Sequence, residues 1–248
     1  MRRTAGLALL LMLSAPAAAR ALPAGFVYLR DVAPQIAQDM RYATYDNFTG
    51  RPLPGYETGE CVLRREVAQA LVRVAANLAK DHLGLKIYDC YRPARAVRAF
   101  WRWAHDPRVG GAKRFYPGVP KSELFARGYI AARSRHSTGT AVDLTLIALP
   151  PQRVAAFERA GRYGPCTAPA AQRAPDTSLD MGTGFDCLDV KSYTRSGKVT
   201  PAQRHWRNLL KTAMAAHGFR NYFREWWHYE YGRARGSYDV PIWPRIAH

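Results

Sequence analysis

With 248 residues, 48% hydrophobic and 12% aromatic, the chain is long enough for one domain with a substantial core and too apolar for a disordered segment. Its formal net charge of +18 is drawn to polyanions, but Arg outnumbers Lys 30 to 7 and the basic residues are scattered without a helix-turn-helix, zinc finger or other nucleic-acid motif. No nucleic-acid partner is therefore expected.

The first 21 residues read as a secretory signal. Arg2 and Arg3 form a positive start, residues 5–13 an apolar run, and Ala17-Ala18-Ala19 or Ala19-Arg20-Ala21 a small-residue cleavage site. No Cys follows directly to carry a lipid, and no other run reaches the ~18 apolar residues of a membrane helix. The expectation is a mature domain over 22–248, charge +15, periplasmic or secreted and without a membrane anchor. In that oxidising setting Cys61, Cys90, Cys166 and Cys187 read as two disulfides. Of three connectivities we favour Cys61–Cys90 with Cys166–Cys187, the second bracketing a Pro- and Ala-rich loop. No CxxC spacing suggests a cysteine metal site.

Along the mature chain, residues 46–56 are turn-rich. Val67, Leu71, Val74 and Leu78 recur at helical spacing and predict a helix over 64–83, stopped by Gly84. A short strand follows over 85–88. Pro93 opens a second helix to about Trp103, with Val97, Phe100, Trp101 and Ala104 as its apolar face. Residues 105–120 read as loop, 141–147 as a strand and 162–186 as irregular. Thr200-Pro201-Ala202-Gln203 is a capping-box start for a helix to His217, ended by Gly218, and 219–231 reads as a terminal strand. Helices first and strands late, without βαβ alternation, predict a single α+β domain with a central antiparallel sheet and flanking helices.

The chemistry concentrates in two short segments. If Gly139-Thr140 is a tight hairpin turn, His136 and Asp143 lie directly opposite, with Cβ atoms about 4.5–5.5 Å apart, and can converge on one ion. Glu225 and His228 are three apart inside a run of aromatics. On a regular strand they would face opposite ways, so a bend is expected that puts His228 on the metal and Glu225 toward a bound water. Three ligands, His136, Asp143 and His228, leave a coordination position open, as catalytic zinc sites do, with Glu225 as general base.

Ser134-x-His136-x-x-Gly139-x-Ala141-x-Asp143 followed by Glu225-x-x-His228 resembles the zinc D-Ala-D-Ala peptidases related to lysostaphin-type enzymes and the Hedgehog domain. Within that group the resemblance is to D-alanyl-D-alanine dipeptidases of the vancomycin-resistance type. It extends through residues 41–50, Tyr88-Asp89-Cys90-Tyr91-Arg92-Pro93 and Asp180-Met181-Gly182-Thr183-Gly184-Phe185-Asp186, over nearly the whole mature chain. The resemblance implies one zinc per chain, a Hedgehog/peptidase-like fold, and hydrolysis of D-Ala-D-Ala. It implies that Arg92 stabilises charge on the attacked carbonyl, that Tyr42 and Asp180 hold the substrate ammonium, and that Ser134 and Tyr56 lie near its carboxylate. A Cys166–Cys187 bridge reaching up to Asp180 would shape the substrate pocket. Two alternatives stay open: a carboxypeptidase or endopeptidase acting on longer cell-wall peptides, and a non-catalytic wall-binding relative.

Overall fold

The computed structural model describes residues 21–234 and 236–245, so the secretory signal, Ala21 apart, lies outside the described residues. Chain order begins with strand β1 (Phe26–Tyr28), a single helical turn α1 (Leu29–Val32) and the two-residue strand β2 (Ala37–Gln38). Strand β3 (Val62–Arg64) pairs antiparallel with β1 and leads straight into helix α2 (Arg65–Ala79). All four expected apolar positions of α2 are buried. Gly84 is not its stop. The chain turns at His82, whose φ of +55° is left-handed, and Gly84 already lies in strand β4 (Leu83–Asp89). A Cβ there would sit 3.0 Å from the Leu149 side chain, so glycine admits a close neighbour rather than ending a helix.

β4 is one of three inner strands of a five-stranded sheet formed with β2, β5 (Ala141–Ala148), β6 (Phe219–Asn221) and β7 (His228–Tyr231), in the order β2-β4-β5-β7-β6. Every pairing is antiparallel except β2 on β4, so one parallel edge qualifies the expected antiparallel sheet. β4 is buried at every position and β5 at all but its last, as in strands covered on both faces. Helix α2 packs on β4 and against helix α4 (Pro201–Ala215). The domain is therefore mixed helix and sheet, of the α+β type.

Two expectations are corrected. In helix α3 (Ala94–His105) the buried stripe is Ala96, Val97, Phe100, Trp103 and Ala104, while Trp101 is 51% exposed. Residues 96, 100, 103 and 104 share one face at 3.6-residue periodicity, and 101 falls off it. The predicted single strand over 219–231 is a hairpin, β6 and β7 around a turn. The Asn221 side-chain amide donates to the Glu225 and His228 carbonyls at 2.9 and 3.0 Å and holds that turn. The α4 start is as expected: the Thr200 hydroxyl accepts from the Gln203 amide, and the Gln203 side chain accepts from the Thr200 amide.

A buried charge network braces the β2 edge. Arg41 ion-pairs with Asp39, Asp46 and Asp176, and the Lys86 ammonium meets Asp176 at 2.5 Å. Burial alone would raise the Asp176 carboxyl, but the Arg41 and Lys86 charges outweigh it and hold it below the usual carboxylate value. A depressed carboxylate adds stability above its unfolded pKa and loses it as pH falls through the folded one. Asp176→Asn should therefore lower the unfolding free energy by about 2–3 kcal/mol at pH 7, between the values for exposed and fully buried pairs. The gap from wild type, read by urea denaturation, should shrink below about pH 4.

Candidate active site

Three neighbouring strands each bring one side chain to the same end of the sheet. The register places Asp89 of β4 opposite Asp143 of β5, and Asp143 opposite His228 of β7. The β4–β5 register shifts between Ile87 and Asp89, which inserts Tyr88 as an extra residue and swings Asp89 into that row.

His136 reaches the row by a different route from the one expected. Residues Arg135–Thr138 form a 3-10 turn, not a hairpin strand, and Gly139 follows it in the left-handed region at φ +74°. A Cβ on Gly139 would lie 2.2 Å from the Phe26 ring, so packing as well as φ demands glycine. The Ser134 hydroxyl accepts from the His136 amide at 3.2 Å and starts the turn. Convergence of His136 on Asp143 is as expected, though its cause is a capped turn leading into β5.

The result is a tight trio. His136 Nε2, Asp143 Oδ1 and His228 Nδ1 are separated by 2.9, 3.0 and 3.2 Å, and all three residues are buried. A tetrahedral ion bound at ~2.0–2.2 Å spaces its ligand atoms by about 3.3 Å, so the donors fit one small divalent cation. The outer contacts agree. His136 Nδ1 lies 2.6 Å from the Cys90 carbonyl and, as its donor, leaves Nε2 with its lone pair for the cluster. His228 Nε2 faces the Glu230 carboxylate at 3.7 Å, an electrostatic neighbour that favours a proton on Nε2 and leaves Nδ1 for the cluster. Burial by itself would raise the Asp143 carboxyl, but the two imidazoles hold it far below the usual range.

Glu225 lies in the turn before β7, with a carboxylate oxygen 3.9 Å from His228 Nδ1. Burial pushes its carboxyl up to about 7, near the pH at which a general base works best. Arg92 lies opposite, with its guanidinium 3.7 Å from Asp143 and stacked 4.8 Å from the Tyr42 ring. Asp89 fixes it: Arg92 Nε and a terminal nitrogen approach Asp89 Oδ2 at 2.9 and 2.8 Å.

The remaining residues sort by position. Tyr42 and Ser134 line the cleft beside the trio, together with Glu225 and Arg92. Tyr56 is not among the residues lining the cleft and donates to Asp89 Oδ1 at 2.7 Å, the carboxylate that also holds Arg92. Asp180 does not belong to the cleft. Its carboxylate accepts from Arg173, Gln203 and the Gly182 amide and lines a separate cavity. The other acid of the same motif, Asp186, is the one that lines the cleft, accepting from the Tyr42 hydroxyl at 2.6 Å. The motif offered two carboxylates six residues apart, and spacing alone could not choose between them. Asp89 and Glu230, each beside a named site residue, were also missed.

The two disulfides are Cys61–Cys90 and Cys166–Cys187, the favoured connectivity. The first anchors the residue whose carbonyl orients His136.

A buried His-Asp-His trio with an adjacent Glu and Arg in a cleft has the make-up of a metallopeptidase site, and the family match agrees: the chain is a metallopeptidase. The family model described as D-ala-D-ala dipeptidase matches residues 23–153 and 173–244. A D-alanyl-D-alanine dipeptidase of Streptomyces coelicolor is 38% identical over 88% of this chain and 98% of its own length. One from Enterococcus faecium is 34% identical over 83% of this chain and 90% of its own, and one from Escherichia coli 29% over 86% and 88%. The chain belongs to the D-ala-D-ala dipeptidase family.

Titration of metal-free protein with Zn2+ should give one tight site per chain. His228→Ala should abolish it, and Glu230→Gln should weaken it 10–100-fold, as read by competition with a chromophoric chelator.

Proposed function

We propose that this protein is an exported zinc dipeptidase that hydrolyses D-Ala-D-Ala to two D-alanines in cell-wall peptide turnover. The observation that carries the reading is the Asp186 carboxylate. It is 93% buried within the catalytic cleft, and Tyr42 is its only hydrogen-bonding side-chain partner among the described residues. Burial pushes its carboxyl well above the usual range, with the Asp143 and Glu225 charges adding to the rise and the Tyr42 hydroxyl only partly offsetting it. Such a group gains a great deal from a cation, and the free ammonium of a dipeptide supplies one. A longer peptide carries an uncharged amide there and would leave the carboxylate unpaired.

His136, Asp143 and His228 would hold the zinc, which when bound acts as a Lewis acid and brings the pKa of its water to ~7. Glu225 takes the proton from the attacking water and delivers it to the leaving amine. Arg92, permanently charged and locked by Asp89, faces the negative charge that develops on the carbonyl oxygen. Ser134, which lines the same cleft, is the donor for the substrate's carboxylate.

The apolar run at 5–13 supports export, and the two disulfides are compatible with an oxidising compartment. We extend the reading to the Hedgehog/peptidase-like fold group on the strength of the sequence motifs.

Zinc-loaded protein should cleave D-Ala-D-Ala and leave N-acetyl-D-Ala-D-Ala and a wall pentapeptide intact. Cleavage of the pentapeptide alone would favour a carboxypeptidase and overturn the reading. Glu225→Gln should lower kcat by about 10²–10⁴ while zinc stays bound, and an unchanged kcat would remove Glu225 from the base role. Tyr56→Phe should lower kcat by a smaller factor, about 3–10, through a less firmly held Arg92.

A further inference from the structure

We propose that the Cys166–Cys187 disulfide is a positioning device for Asp186 and thereby sets the affinity for the dipeptide. The inference rests on the dipeptidase reading above. It starts from a mismatch: the family model passes over residues 154–172, and Cys166 lies inside that stretch. The family pattern therefore does not describe this stretch, yet it is bonded to the residue directly after Asp186.

The attachment is multiple. The Cys166 carbonyl accepts from the Gly184 amide at 2.9 Å, its amide donates to the Arg114 carbonyl at 2.7 Å, and the Leu188 amide donates to the Phe115 carbonyl at 2.8 Å. Residues 184, 187 and 188 are thus fastened on both sides of Asp186, and both sulfur-bearing residues are buried. Between those fastenings Asp186 is held at φ +59°, one of two described non-glycine residues in the left-handed region. Asp tolerates that region better than most residues but does not prefer it. With the disulfide cut, only hydrogen bonds hold the segment, and a return of Asp186 to negative φ would carry the carboxylate away from the Tyr42 hydroxyl and the cleft. His136, Asp143, His228 and Glu225 sit on other segments, so the metal and the base are untouched.

A carboxylate that binds the ammonium equally in the bound and transition states changes KM and leaves kcat alone. The test is a Cys166→Ser/Cys187→Ser variant of the zinc-loaded chain, assayed on D-Ala-D-Ala. KM should rise at least tenfold, with kcat within twofold of wild type and zinc stoichiometry unchanged. In an Asp186→Asn background, removing the disulfide should raise KM no further. A merely structural staple would instead lower stability with KM unchanged, or multiply the Asp186→Asn effect; either result overturns the proposal. If the serine variant does not fold, wild type is opened with graded dithiothreitol and its thiols are mapped by alkylation and mass spectrometry. KM must then rise in step with opening of Cys166–Cys187 and not of Cys61–Cys90, and a flat KM overturns the proposal. Absence of dipeptide hydrolysis by unmodified protein overturns the dipeptidase reading and this inference together, whereas hydrolysis with an unchanged KM overturns only the inference.

Discussion

Three lone pairs, on His136 Nε2, Asp143 Oδ1 and His228 Nδ1, are brought within 3.2 Å of one another and kept out of water. Without a cation this is an expensive arrangement. A buried carboxylate and two imidazoles whose other nitrogens face a carbonyl and a carboxylate have nothing else to share but a proton. Much of the surrounding architecture serves to hold that convergence. Strand order sets Asp143 between β4 and β7, and the irregularity at Tyr88 aligns Asp89 with the row. A capped 3-10 turn aims His136, and the Cys90 carbonyl fixes which of its nitrogens points inward.

Asp89 links the metal cluster to the rest of the chemistry. It takes the Tyr56 hydroxyl on one oxygen and Arg92 on the other, and lies 3.4 Å from His136 Nδ1. His136, the Arg92 guanidinium and the Tyr56 hydroxyl are thereby referred to one buried carboxylate. The segment from Asp89 to Arg92 is itself tied down, because Cys90 is bonded to Cys61 and the Tyr91 amide donates to the Val62 carbonyl. A site organised this way reorganises little during reaction, which is where much of the rate enhancement by preorganised charge arises.

Residues whose role depends on short spacing were legible in the sequence. The α2 stripe, the Thr200 capping box and the His-Asp and Glu-His segments all follow from local periodicity or local chemistry. What the sequence could not disclose were choices decided by contacts distant along the chain. The Gly139 conformation depends on the Phe26 ring, 113 positions earlier. That Asp186 and not Asp180 lines the cleft depends on where Tyr42, Arg173 and Gln203 lie. Gly84 looked like a helix stop because glycine usually ends helices, whereas here it makes room for Leu149. Trp101 and Trp103 are equally apolar, and only the phase of α3 against its neighbours tells which is buried.

One zinc ion is expected to sit on this trio through these particular atoms. The most direct measurement is crystallography of the zinc-loaded protein with anomalous data collected on both sides of the zinc absorption edge. A single anomalous peak is expected within about 2.0–2.2 Å of His136 Nε2, Asp143 Oδ1 and His228 Nδ1, with Glu225 outside the ligand shell. A zinc peak elsewhere, or one that takes Glu225 as a ligand, would contradict it.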